Sequence, residues 1–224
     1  MFLHQLASFS RSFWLSMPTV LLALLTANNS LAAQKTYTVT VIDQNQQAVE
    51  DAAVIAPTDA QRNEPERSFS AIMDQQDRQF HPRVLVVETG TEVSFPNSDN
   101  IRHHVYSFSE PKRFEIKLYA DTPNKPVAFD TPGIVVLGCN IHDNMVGYIF
   151  VSDSPIYNKT NINGQATLVT EEQEPTALRI WHPLLDDPTS FLELENIVWS
   201  QTGETIVKIS TQEPVTQTKK SRFR

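Results

Sequence analysis

The sequence predicts an all-β protein, on three observations. Short runs rich in Val, Thr and aromatic residues recur: "TYTVTVID" (36–43), "RVLVVET" (83–89), "TEVSFPN" (91–97) and "HHVYSFS" (103–109). Several alternate apolar and polar positions, and turn residues such as "ETG" and "PNSDN" bound them, the pattern of half-buried antiparallel strands. No segment sustains a helical period, and the 14 prolines suit loops and edge strands better than helix interiors.

Along the chain, residues 1–33 come first. Arg11 lies in a short polar lead, "VLLALL" forms an apolar run, and the small residues Ser30, Ala32 and Ala33 follow. That order predicts a secretory signal peptide cleaved after Ala32 or Ala33, and hence a periplasmic protein. The apolar run falls short of the roughly 20 residues of a membrane span. No cysteine lies near the expected cleavage site, so no lipid anchor is expected there, and no membrane association after cleavage. The roughly 190 residues that remain suffice for one large domain or two small ones. With 26 acidic side chains against 18 basic ones, the net charge is -8, which argues against nucleic acid and anionic lipid as partners.

Residues 36–57 read as strand, turn, strand. "TDAQRNEPERS" (58–68) is polar and reads as a linker. The strand runs quoted above follow, then "GCNIHDNM" (138–145), which holds the only cysteine of the chain. Cys139, His142 and Met145 bring a thiolate, an imidazole and a thioether together within seven residues. That soft donor set suits copper better than calcium or magnesium. A type 1 copper site needs a second imidazole, and "NIRHHVYSF" offers His103 and His104. Nothing in the spacing alone brings those strands together. His81 reads as an exposed strand-end residue, and Trp181 and His182 as core and loop residues that could touch the copper-bearing part.

Beyond the donor set, Phe80, Pro82, Leu85, Val87, Gly90, Val93, Phe95 and Asn97 match the F-x-P-x-x-L-x-V-x-x-G-x-x-V-x-F-x-N run of plastocyanin- and amicyanin-type cupredoxins. With Cys-x-x-His-x-x-Met at the short amicyanin spacing, residues 66–153 resemble that family, and more closely its methylamine utilization protein type. The resemblance implies a Greek-key sandwich holding one type 1 copper ion through His103, Cys139, His142 and Met145. It puts the first histidine ligand at His103. His104 stands where the family usually has Asn, and remains an alternative ligand or a supporting donor. Gly138 replaces the family's aromatic before the cysteine, which predicts a thiolate more open to water or a partner.

The flanking segments resemble a carboxypeptidase regulatory-like sandwich. "TNINGQATL" (160–168) follows its T-D-x-x-G-x-F-x-L pattern, with Asn161 for the aspartate and Ala166 for the aromatic. The expected organisation is a signal peptide (1–33), the first hairpin of a small β-sandwich (34–62), an inserted cupredoxin domain (63–153), the rest of the small sandwich (154–213) and a tail (214–224). The expected function is single-electron transfer between redox partners, a dehydrogenase, oxidase or cytochrome. The alternative is a copper-binding or copper-delivery module without a redox role. No acid–base pair and no second copper cluster point to an enzyme.

Overall fold

The computed structural model describes residues 34–58, 69–123, 125–171 and 173–212. The expected signal peptide, nearly all of the 58–68 linker and the 214–224 tail lie outside them. The described residues form strands, bridges and turns with no helix, in agreement with the predicted fold class.

The strands fall into two sets that pair only within themselves. The first set takes both ends of the chain. β1 (Lys35–Ile42) and β2 (Ala53–Ile55) come from the front. The middle supplies the second set: β3 (Ser70–Ile72), β4 (Asp74–Gln76), β5 (Gln79–His81), β6 (Val84–Glu88), β7 (Thr91–Ser94), β8 (His103–Ser107), β9 (Phe114–Tyr119), β10 (Val127–Phe129), β11 (Gly133–Cys139) and β12 (His142–Ser152). The first set is completed by β13 (Tyr157–Lys159), β14 (Gln165–Thr170), β15 (Ala177–Trp181), β16 (Leu192–Glu195) and β17 (Glu204–Lys208).

In the first set the sheets run β14-β1-β17 and β13-β2-β15-β16. Alternation explains their faces: Tyr37, Val39 and Val41 of β1 point inward while the intervening threonines point away, as successive side chains of a strand must. They meet Val54, Leu168, Leu178, Ile180 and Val207 in one apolar core. In the second set a five-stranded sheet, β6-β12-β11-β8-β9, faces a three-stranded sheet, β10-β7-β3, across a second core. Phe80, Phe95, Phe129, Leu137, Ile149, Cys139 and Met145 belong to that core.

A third cluster joins the two sets. Ala53 and Ile55 of β2, Trp181 of β15, and Val84 and Phe150 of β6 and β12 pack together. β2 and β12 thus bury both faces, one in each core and one in the seam, which is why "AVI" and "GYIFV" read as near-continuous apolar runs. Trp181 is fully buried, packs in tilted contact with Tyr148 at 5.4 Å and Phe150 at 6.1 Å between ring centres, and donates its indole N–H to Pro188 O at 2.9 Å. Losing such a side chain typically costs about 3–5 kcal/mol, so the seam is a substantial interface. Trp181 therefore does reach the strand that carries His142 and Met145. His182 is also buried, and its Nδ1 accepts the Leu184 N–H at 3.2 Å.

Candidate metal centre

Three strands converge at one end of the second core. Cys139 ends β11 and His142 begins β12, so a two-residue turn sets them opposite each other. β8 lies on the other side of β11, antiparallel, with Val105 opposite Cys139. His103 shares the inward face of β8 with Val105 and Ser107 by strand alternation. The result is a cluster that long-range pairing creates: Cys139 Sγ lies 3.7 Å from His103 Nδ1 and 3.7 Å from His142 Nδ1. The ligand atoms of the three residues all lie within 4.8 Å of one another. His103 is completely buried, Cys139 is 4% exposed and His142 is half-buried.

The donors can be tested against a metal ion. Bonds of about 2.3 Å to sulfur and about 2.0 Å to nitrogen, as in zinc sites, separate the two donors by about 3.7 Å at a trigonal angle and about 3.5 Å at a tetrahedral one. The observed spacing is the trigonal value. Met145 is 1% exposed and buried in the same apolar cluster as Cys139. A set of one thiolate and two imidazoles suits copper, whereas structural zinc sites use four Cys, His or carboxylate donors. The residues present therefore fit copper.

Not every expected residue is in this cluster. His104 points to the opposite face of β8; its Nε2 lies 3.0 Å from Glu115 Oε1, but off the direction of a hydrogen bond. Its ring lies 5.9 Å from that of Tyr106. His81 is exposed on β5 opposite Asp74. The expectation of an open thiolate at Gly138 is not met. Gly138 pairs with Tyr106 across the strands, and a Cβ on Gly138 would lie 2.8 Å from Tyr106 Cζ and from its hydroxyl oxygen. The phenol ring covers the glycine, a cross-strand pairing in which an aromatic shields bare backbone.

Sequence reasoning also missed Asp99. Its Oδ2 lies 2.7 Å from His103 Nε2, the ring nitrogen turned away from Cys139. The backbone N–H groups of Asp77 and Arg78 donate to Asp99 Oδ1 and Oδ2 at 2.8 and 3.0 Å. Partial burial alone would raise the Asp99 carboxyl, but the hydrogen bonds from Arg78 N, from His103 and from Asp77 N outweigh it and hold the group below its ordinary value. Asn97 organises the loop from which Asp99 projects. Its amide donates to Ile101 O at 2.8 Å and Tyr119 O at 3.1 Å, and its carbonyl accepts the Asp99 N–H at 3.1 Å. Tyr119 anchors the same region by donating to Phe95 O at 2.8 Å. Burial pushes its hydroxyl up to about 12, against the opposing hydrogen bond from Gln75. The one sequence signal for Asp99 was an acid four residues before a histidine.

Comparison with known proteins gives the following. No protein-family model matches the chain, and no curated protein matches it. Among solved structures, the chain is similar to the copper-containing nitrite reductase (NirK) from Thermus scotoductus SA-01 at 26% identity and a TM-score of 0.35, over 43% of this chain and 25% of that one. The chain thus spans a quarter of the nitrite reductase's length. The reduced form of an amicyanin mutant is similar at 16% identity and a TM-score of 0.35, over 39% of this chain and 86% of that one. A purple cupredoxin from Nitrosopumilus maritimus is similar at 21% identity and a TM-score of 0.33, over 38% of this chain and all of that one.

Proposed function

We propose that this chain is an exported copper protein that passes single electrons between redox partners. His103, Cys139 and His142 would hold one type 1 copper ion, with the Met145 thioether as a further, weaker donor. The observation that carries the reading is the position of Cys139 Sγ, equidistant at 3.7 Å from two imidazole nitrogens inside an apolar core. Copper bound there supplies a one-electron couple. The chain's own contribution is rigidity: each donor sits at a strand end or strand interior fixed by ladder pairing, so little rearrangement accompanies a change of charge. Burial of Cys139 and His103 excludes water, and the half-buried His142 leaves the site one edge toward solvent.

We further infer that residues 63–153 form the copper-holding sandwich, inserted between the 34–62 and 154–213 parts of a second one; the separate strand pairing of the two sets supports this division. The leader-like residues 1–33 support a periplasmic location, and a dehydrogenase, oxidase or cytochrome is the expected partner class.

A visible spectrum of the copper-loaded protein is the direct test. An intense thiolate-to-copper band is expected, and Cys139→Ser should abolish it, because a hydroxyl cannot replace the soft thiolate. A Cys139→Ser protein that keeps the band, or a wild type that never shows it, would overturn the reading.

A further inference from the structure

We propose that Asp99 is a positioning residue that fixes the tautomer and donor strength of His103, and that the turn of the β4–β5 hairpin holds Asp99 for that task. The inference rests on the copper reading of His103 given above, and deepens it.

The argument begins at the turn. Asp77 and Arg78 both adopt positive φ, 54° and 59°, in the two-residue connection between β4 and β5. Two consecutive left-handed residues make the turn type that suits a tight hairpin, and glycine or asparagine is the usual occupant. Here neither residue is glycine. The turn nevertheless holds two successive N–H groups against one carboxylate, Asp77 N to Oδ1 and Arg78 N to Oδ2. With Asn97 setting the backbone at the other end, Asp99 is held from both sides.

The consequence falls on His103. An ionised carboxylate only accepts hydrogen bonds, so the imidazole nitrogen 2.7 Å from Asp99 must carry the proton. That nitrogen is Nε2. The neutral ring then has its lone pair on Nδ1, the atom 3.7 Å from Cys139 Sγ. Asp99 thus selects the one tautomer that presents a lone pair to the thiolate side. The anion also strengthens Nδ1 as a metal donor, as carboxylates behind metal-bound histidines do. A stronger nitrogen donor favours copper(II) over copper(I), so Asp99 should lower the reduction potential.

An open pocket of about 290 Å³, lined by Asp77, Arg78, Asp99, Asn100 and Ile101, lies beside the carboxylate. It offers a chemical test of position apart from folding. In Asp99→Ala the two turn N–H groups and the His103 Nε2–H would face a gap that acetate or formate can enter.

The experiment uses the full mature chain in two arms. In the metal-free arm, ¹⁵N-labelled wild type should show His103 as the Nε2–H tautomer, and Asp99→Ala should show a mixture. In the copper arm, Asp99→Ala should lose about 10- to 100-fold in copper(II) affinity. Its potential should rise, by about 59 mV for each tenfold preferential loss of copper(II). Acetate, but not chloride, should move affinity and potential back toward wild type. If Asp99→Ala fails to fold, Asp99→Asn is read in affinity and potential alone, because it removes the anion while its amide oxygen can still accept the Nε2–H. A variant with wild-type tautomer, affinity and potential overturns the proposal while the copper reading stands. A wild type that shows no thiolate band overturns the copper reading, and the tautomer arm still decides the role of Asp99.

Discussion

The phenol ring of Tyr106 occupies the space where residue 138 would otherwise carry a side chain, with Cζ 2.8 Å from the position of a Cβ on Gly138. The glycine and the aromatic are therefore one unit, and the unit shields the backbone next to Cys139. Gly138→Ala should destabilise the protein by about 1–3 kcal/mol, the usual cost of overpacking. Adding Tyr106→Ala should relieve much of that clash, so the two substitutions should be non-additive in a urea-denaturation cycle. Tyr106→Ala alone should bring water to the Gly138–Cys139 backbone, on the sheet face opposite the Cys139 side chain. Water stabilises the more highly charged oxidised site, so the potential should fall in voltammetry. Strict additivity, together with an unchanged potential, would show that the ring shields nothing.

The adjacent histidines separate cleanly. His103→Ala should abolish the visible band, since it removes an imidazole nitrogen from beside Cys139. His104→Ala should keep both metal and band, and shift the potential modestly through the loosened contact with Tyr106. The reverse pattern in absorption spectra would move the ligand to His104.

Met145 discriminates electron transfer from copper delivery. Met145→Leu conserves volume in the core and removes only the thioether, so the fold should lose less than about 1.5 kcal/mol. In an electron carrier the metal should stay bound and the potential should rise, because an axial donor to copper(II) is gone. A collapse of copper(I) affinity in a competition titration, with irreversible voltammetry in the wild type, would favour delivery instead.

How much of this could be read beforehand depended on sequence separation. β1 was visible in "TYTVTVI" because alternation is a local signal, and so was the Cys139–His142 pair, which one turn holds together. His103 needed the β8–β11 pairing across 36 residues, and only family resemblance pointed to it. Asp99 was illegible for the same reason. Its partners Asp77 and Arg78 lie 22 and 21 residues earlier, in a hairpin turn without the glycine that usually announces one. The open thiolate expected at Gly138 failed because strand alternation turns Cys139 into the core, whatever the residue before it.

His182 predicts acid sensitivity that does not involve the metal. Burial first, and then the positive charge of Arg83, lower its imidazole from 6.5 to about 4, against the opposing influence of Asp51 and the Glu50 backbone. A depressed folded value means that the unfolded chain binds the proton more readily. The contribution is thus complete above about pH 6.5 and declines as pH falls to about 4. At about 1.4 kcal/mol per pH unit, the loss reaches about 3 kcal/mol. Urea midpoints at pH 7 and pH 4.5 should differ less for His182→Gln than for wild type. Equal pH dependence in the two proteins would refute the assignment.

The meeting of Ala56 and Ile156 has a mechanical consequence. Ala56 N donates to Ile156 O at 2.9 Å, and Ser154 Oγ donates to Ala56 O at 2.6 Å, so the stretch that carries the His–Cys–His cluster leaves and rejoins the chain at one point. β1 and β17 run parallel and side by side, from Thr38 opposite Glu204 to Ile42 opposite Lys208. Tension applied at residues 34 and 212 would shear that pair lengthwise, with its hydrogen bonds resisting together. The strands that carry His103, Cys139 and His142 lie outside the line of force, and should stay slack until the outer pair has parted.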